Sequence, residues 1–148
     1  MASPLRSLDD PGALAFVDGL AVLAVLAAGI VQHHGVAGLT EPATLTPLLV
    51  SFLLGWYTLA TLTGLYERAA AGGGRHSLRL VAATAVGAAN AGILVRAHAF
   101  GDVPASPFPL VITAILLATT LGVRGLVALA VRTADSDSLG ADERQTQD

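Results

Sequence analysis

Four long apolar stretches, separated by short polar segments, dominate the pattern of the chain. They lie at about residues 11–34, 47–69, 78–98 and 107–132. Each is close to the roughly 20 predominantly apolar residues that an α-helix needs to cross a bilayer. Helices are also one of the two structures that satisfy their backbone hydrogen bonds in lipid. The pattern therefore predicts an all-α, polytopic membrane protein folded as a four-transmembrane-helix bundle.

Residues that favour helix ends lie beside these stretches. Asp10 is a suitable N-cap before Pro11, and Gly35 can end the first helix. By the same reasoning, the N-caps predicted for the three later helices are Thr46, Ser77 and Ser106. Outside the membrane domain at 11–132, we predict a polar N-terminal segment at 1–10 and an acidic, disordered cytoplasmic tail at 133–148.

Arginines are unequally distributed between the two sides of the predicted bundle. One side carries both termini and the loop between the second and third helices, which together hold Arg6, Arg68, Arg75, Arg79, Arg132 and Arg144. The other side holds only Arg96. Because basic residues are retained preferentially in the cytoplasm, we predict a multi-pass protein of the cell membrane with both termini cytoplasmic.

Short matches between the two halves of the chain point to two parallel helical-hairpin repeats. The segment AGIV at 28–31 is matched by AGIL at 91–94, and Pro47-Leu48 is matched by Pro109-Leu110. Parallel repeats occur in transporters. The alternative is chance, since alanine, glycine and leucine are abundant here.

Small residues on two helices predict close packing. In lipid, helices associate through small side chains that let backbones approach, together with interhelical hydrogen bonds. The third helix carries the stripe Ala83, Gly87 and Ala91, with Ala88 and Gly92 beside it, and we expect it at the centre of the bundle. The second helix has similar notches at Ser51 and Gly55, and at Ala60 and Gly64.

A few polar residues within the apolar stretches are the candidates for function. Asp18 and Arg124 lie at similar depth from the predicted cytoplasmic face, so we predict an ion pair that joins the first and fourth helices. The alternative for Arg124 is extension of its side chain to the membrane surface. Asn90, midway along the third helix, is expected to form an interhelical hydrogen bond, with contact to a solute as the alternative.

Four polar side chains are expected near the outer face: His33, His34, Arg96 and His98. Histidines can bind metals or respond to pH. Adjacent His33 and His34 point about 100° apart on a helix, which is poor geometry for chelation, and we predict roles at helix ends rather than a metal site.

Composition narrows the class of protein. Hydrophobic residues make up 53% of the chain and charged residues 13%, against about 25% charged residues in soluble domains. The net charge of −3 argues against a nucleic-acid partner. The chain has no cysteine, which excludes disulfides and thiolate sites, and we expect no cofactor. All eight basic residues are arginine, which is typical of adaptation to high salt or of a GC-rich gene.

The order of the polar landmarks resembles an uncharacterised family of small four-helix membrane proteins, catalogued as domain of unknown function 3054. The residues that carry the resemblance are Asp18, Gly29, His34, Pro47, Gly55, Trp56, Arg96, Phe108, Val111, Gly122 and Arg124. It extends over about residues 16–132. The resemblance implies an integral membrane location and four helices, and it implies no activity, substrate or catalytic residue.

Three functions are compatible with these features. The first is a structural or accessory membrane subunit that works as a homo-oligomer or within a membrane complex. The second is a small dimeric carrier or channel for a proton, an ion or a small solute, with Asp18 as the coupling carboxylate. The third, a membrane enzyme acting on lipid, is ranked last because the sequence contains no motif for a nucleophile or a catalytic metal. We therefore expect the chain not to be an enzyme.

Overall fold

A computed structural model describes residues 10–67 and 75–145 of the chain. In order along the sequence, these contain α1 (Pro11–His34), α2 (Pro42–Leu62), α3 (Arg75–Phe100) and α4 (Phe108–Gln145), with a short 3-10 helix (Val36–Thr40) between α1 and α2. No strand occurs in these two ranges, so the predicted all-α fold is confirmed. The predictions about residues 1–9, including Arg6, and about Arg68 lie outside the described residues.

Each of the four helices contains a segment long and apolar enough to cross a membrane. The segments are Pro11–His34, Pro42–Leu62, His76–Phe100 and Phe108–Ala130. The shortest has 21 residues, which at about 1.5 Å per residue matches a hydrocarbon core of about 30 Å. The predicted four-transmembrane-helix bundle is therefore supported by helix length and composition.

Helix α1 begins and ends where the sequence predicts. The Asp10 side chain accepts hydrogen bonds from the backbone N–H groups of Gly12 and Ala13 at 2.9 and 3.1 Å. Gly35, with φ of 69°, donates its N–H to the Val31 carbonyl and ends the helix. These bonds satisfy groups that a helix terminus otherwise leaves unpaired.

Helix α2 differs from its prediction at both ends. It starts at Pro42 rather than residue 47, so Thr46 is not its cap and Pro47 lies inside it. Both prolines suit a first turn, and the earlier one occupies it. The helix ends at Leu62 rather than residue 69, because Gly64 adopts a positive φ of 62° that the helix cannot continue through.

Helix α3 is longer than the predicted range of 78–98. It runs from Arg75 to Phe100, so Ser77 lies within the helix instead of capping it. Polar residues at the ends of a spanning helix can remain helical while their side chains extend to the surface. Gly101, with φ of 67°, follows the last turn.

Helix α4 departs furthest from its prediction. It starts at Phe108, so Ser106 is not the N-cap, and it continues to Gln145 instead of ending at residue 132. The prediction of disorder at 133–148 was therefore wrong for 133–145. This polar segment contains no proline and several good helix formers. Because an existing helix avoids the cost of nucleation, these residues can extend it outside the apolar segment.

The packing of the bundle centres on α2 and α3. Gly55 and Gly92 allow close approach: a Cβ at Gly55 would lie 2.8 Å from the Ala88 carbonyl oxygen, and one at Gly92 would lie 2.8 Å from the Phe52 ring. Helix α3 also packs extensively on α4, in agreement with its predicted central place. Helix α1 contacts the others less extensively, which leaves room for a cleft beside it.

Part of the predicted small-residue stripe on α3 lies against α2: a Cβ at Gly87 would lie 3.3 Å from the Leu59 side chain, and one at Gly55 would lie 3.5 Å from the Ala91 Cβ. Ala83 is exposed, whereas the buried face of α3 is formed by Val81, Thr84, Ala85, Ala88, Ala89 and Gly92. Gly87 and Ala91 flank this face. The Ser51 and Gly55 notch of α2 is buried as predicted, and the Ser51 hydroxyl has no hydrogen-bond partner among the described residues. Ala60 is buried too, but Gly64 forms the turn after α2 instead of a notch.

Candidate functional site

The predicted pairing of Asp18 with Arg124 is present in the structure. Arg124 Nε donates to Asp18 Oδ1 at 3.0 Å and Arg124 Nη2 donates to Asp18 Oδ2 at 2.6 Å. The two side chains are 0% and 7% exposed. A bidentate arrangement of this kind combines charge with fixed geometry. It links α1 to α4 across 106 residues of sequence, and the Arg124 side chain does not extend to the surface.

Two aromatic residues of the α2 region extend the ion pair into a buried network. The Tyr66 hydroxyl accepts a hydrogen bond of 2.9 Å from Trp56 Nε1. Burial raises the pKa of Tyr66, so the phenol stays protonated. The Arg124 guanidinium lies 5.9 Å from the centre of the Tyr66 ring, within cation–π range. We call Asp18, Arg124, Tyr66 and Trp56 the ion-pair network.

Replacing Tyr66 with phenylalanine is expected to weaken this network. The change leaves the buried Trp56 N–H without its partner, and an unmet buried donor costs about 1–3 kcal/mol. Because Trp56 is the only tryptophan, thermal unfolding followed by its fluorescence would report the loss as a lower Tm. Tyr57→Phe is the matched control, since the Tyr57 hydroxyl makes a longer bond of 3.2 Å to the Ala15 carbonyl. Equal Tm values for the two variants would contradict this role of Tyr66.

A large cleft lies between α1 and α4, at the end of the bundle where α1 and α3 finish. We call this end the Arg96 end, and the opposite end the Asp18 end. The cleft has a volume of about 910 Å³. Apolar residues of both helices form most of its wall, among them Ala24, Gly29, Ile30, Ile112 and Ile115. We call this cavity the α1–α4 cleft; the ion-pair network joins the same two helices beyond its deep end.

Polar side chains surround the mouth of the α1–α4 cleft. Arg96 donates through Nε to Asp102 Oδ2 at 2.8 Å and also contacts this oxygen through Nη2. The guanidinium lies 5.4 Å from the centre of the Phe108 ring. A second cavity of about 140 Å³ adjoins the cleft and shares His34, Leu48, Arg96 and Asp102 with it. The mouth is therefore a small polar compartment beside a large apolar one.

The three histidines at the Arg96 end are placed differently from one another. His33 and His34, in the last turn of α1, line the cleft. His98 bonds through Nδ1 to the Leu94 carbonyl of its own helix at 2.9 Å. In residues 10–67 and 75–145, no group of three or more histidine, aspartate or glutamate side chains could hold a metal ion.

Asn90 does not reach another helix of the described chain. Its Nδ2 donates to the Val86 carbonyl, one turn earlier in α3, at 2.7 Å, and the residue is exposed. An interhelical hydrogen bond from Asn90 would therefore have to involve a second molecule.

Sequence reasoning missed several members of these sites. Nothing in the spacing of Trp56 and Tyr66 along the sequence indicates that these two residues belong to the same buried network as the ion pair. The Asp102 partner of Arg96 was also missed, although opposite charges six residues apart across a helix end are a usable signal.

Comparison with protein families gives a match over residues 15–127, more than half of the 148-residue chain. The matching family is described as protein of unknown function, DUF3054. Neither the curated proteins nor the solved structures contain a match to the chain.

Proposed function

The chain belongs to the DUF3054 family, and from the chemistry of its helices we propose that it is a structural or accessory membrane subunit. The observation that carries this proposal is Asn90. The charged side chains of Asp18 and Arg124 find partners within the chain, whereas an amide midway along α3 is exposed on the outside of the bundle.

The Asn90 amide can form four hydrogen bonds, and the described chain provides one. Val86 and Leu94, one turn away on either side, are also exposed, so the surrounding surface is apolar. An unmet amide in hydrocarbon is unfavourable, and asparagine in a spanning helix associates with polar groups of other helices. A second copy offers the same amide across a two-fold axis, where each can donate to the other. The proposed assembly is accordingly a homo-oligomer joined through α3.

Asn90→Leu is expected to dissociate this assembly. Polar contacts between spanning helices contribute about 0.6–2 kcal/mol each, and a two-fold interface loses the bonds of both amides. The mass of the purified protein in mild detergent, measured by light scattering over a dilution series, should fall to that of a monomer. Asn90→Gln keeps an amide and should retain association. Gln32→Leu removes an exposed amide from α1, away from the α3 interface, and should leave the measured mass unchanged.

Disulfide trapping can locate the interface, because the chain has no cysteine of its own. Leu94→Cys, one turn from Asn90 on the exposed face of α3, should form a cross-linked dimer in native membranes. Leu110→Cys is the control: Leu110 is an exposed apolar residue of α4. Cross-linking of both variants, or of the α4 variant alone, would contradict an α3 interface. A wild-type protein that is monomeric at every concentration and co-purifies with no partner would contradict the subunit proposal altogether.

A small carrier is the second candidate, favoured by the shape of the α1–α4 cleft. The cleft opens at the Arg96 end, while the ion-pair network holds α1 against α4 beyond its deep end. A carrier needs a site open to one side and closed to the other, and separation of Asp18 from Arg124 would reverse this state. Flux of protons or solutes through proteoliposomes tests the idea. If the wild-type protein transports neither protons nor solutes, or if Asp18→Asn transports them as fast as wild type, a carrier that uses Asp18 is refuted.

The proposed orientation follows the arginine distribution, with both termini in the cytoplasm and the Arg96 end outside. Reporter fusions at the two termini test it, and reporters on opposite sides of the membrane would refute it. We propose no enzymatic reaction, because the sequence lacks a motif for a nucleophile or a catalytic metal.

A further inference from the structure

The apolar part of the α1–α4 cleft has the depth of one bilayer leaflet. On α1 its wall runs from Ala24 to His34, which spans about 15 Å at 1.5 Å per residue. This is half of a hydrocarbon core of about 30 Å. The ion-pair network closes α1 against α4 beyond the deep end, so a partner helix crossing the whole membrane could not occupy the cleft along its length.

The polar compartment at the mouth contains unused hydrogen-bonding capacity. Both bonds from Arg96 to Asp102 end on the same carboxylate oxygen, Oδ2. Within residues 10–67 and 75–145, no hydrogen bond from Arg96 Nη1 is present, and the side chain is 17% exposed. The guanidinium can therefore still donate to a phosphate, which it matches in geometry and charge. His34 borders the same compartment.

From these two compartments we propose that the α1–α4 cleft binds one phospholipid molecule. An acyl chain occupies the apolar part, between the Gly29 region of α1 and the Ile115 region of α4. The phosphate group lies at the mouth and accepts hydrogen bonds from Arg96. The volume of about 910 Å³ lies at the upper end of the 300–1,000 Å³ found for ligand pockets. This site is independent of the proposed α3 interface.

Two pairs of variants test the contributions of the polar and the apolar compartment to lipid binding separately. Arg96→Gln removes the phosphate donor, and Arg79→Gln makes the same change at an exposed position near the other end of α3. Gly29→Phe places a ring in the apolar compartment, and Gly122→Phe places one on α4 outside the cleft. A Cβ at either glycine meets nothing within 4 Å, so both phenylalanine variants are expected to fold.

The experiment measures lipid binding to full-length, delipidated protein in detergent by native mass spectrometry. The probes are palmitoyl-oleoyl phosphatidylglycerol, the matching phosphatidylethanolamine, and a diacylglycerol with the same chains and no phosphate. We expect one phospholipid per wild-type chain. Arg96→Gln should bind both phospholipids about tenfold more weakly and diacylglycerol with unchanged affinity. Gly29→Phe should weaken all three probes at least tenfold, whereas both control variants should match wild type.

Several results would overturn the proposal. If Arg96→Gln and Arg79→Gln bind phospholipid equally well, Arg96 does not contact the phosphate. If the two phenylalanine variants bind lipid equally well, the cleft is not the binding site. Many weakly held lipids, all lost together, would indicate only the lipid surrounding the bundle. Displacement of the lipid by equimolar inorganic phosphate would indicate an anion site rather than a lipid site. Oligomeric state is measured in the same spectra, so failure here is distinguishable from failure of the α3 interface.

Discussion

Asp18→Asn and Arg124→Gln are each expected to destabilise the protein more than any other change to a polar side chain. Either one removes a member of a bidentate pair whose side chains are 0% and 7% exposed. Breaking a buried pair by removing one partner costs about 3–5 kcal/mol in soluble proteins, since the remaining charge is left without compensation. The Tm in detergent, followed by Trp56 fluorescence, and the yield of monodisperse protein should both fall.

The exposed pair of Arg96 and Asp102 provides the control. The Asp102 side chain is 48% exposed, and pairs of this kind contribute about 0–1 kcal/mol. Asp102→Asn should therefore lower the Tm much less than Asp18→Asn.

Double variants show whether Asp18 and Arg124 stabilise the protein through their mutual interaction or whether each substitution destabilises it independently. Asp18→Asn combined with Arg124→Gln removes both charges, and we expect it to be more stable than either single variant. The charge-exchanged variant, Asp18→Arg with Arg124→Asp, should likewise recover expression that each of its single substitutions loses. Losses that simply add in both double variants would show that the two residues act independently and would contradict the structural role of the ion pair.

The spans and the ion pair could be predicted from the sequence because each depends on local or one-dimensional information. Hydrophobic length locates the four helices, and the α1 ends follow from Asp10, Pro11 and Gly35. Asp18 and Arg124 could be paired because their depths match and a buried carboxylate in lipid needs a partner.

Helix ends and packing faces were harder to predict, because the sequence offers two or more choices of similar energy for each of them. Pro42 and Pro47 are both acceptable first residues of a helix, and only the structure places the start at Pro42. Two neighbouring small-residue stripes run along α3, and α2 packs against members of both, with Ala88 and Gly92 the more deeply buried and Ala83 exposed. The polar residues after 132 are sufficiently helical to extend α4, although their composition alone favours disorder.

The α1–α4 cleft could not be predicted from the sequence at all. Its existence depends on how far α1 diverges from α4 on the Arg96 side of the ion-pair network, and an apolar residue facing a cleft looks the same in sequence as one facing lipid. The approach of Tyr66 to Arg124 could not be predicted either, since it follows from the turn at Gly64 that ends α2.

Gly55→Ala is expected to disrupt the central contact of the bundle, that between α2 and α3. A Cβ at this position would lie 2.8 Å from the Ala88 carbonyl oxygen and 3.0 Å from the Gly92 nitrogen. Both are backbone atoms, so the clash can be relieved only if the two helices separate, and overpacking of this kind typically costs about 1–3 kcal/mol. The Tm should fall, and the emission of Trp56, the next residue and fully buried, should change.

Alanine substitutions at two other glycines test whether the loss of stability comes from the clash between α2 and α3 or from replacing any glycine with alanine. Gly122→Ala adds a Cβ that meets nothing within 4 Å. Because alanine favours a helix over glycine by about 0.8–1 kcal/mol, this variant should be neutral or more stable. Gly92→Ala meets the Phe52 ring at 2.8 Å, which can rotate or shift, so its loss should be smaller than that of Gly55→Ala. The expected order of Tm is thus Gly122→Ala, then Gly92→Ala, then Gly55→Ala. The same Tm for the first and the last would mean that α2 and α3 do not approach as closely in the membrane as this arrangement requires.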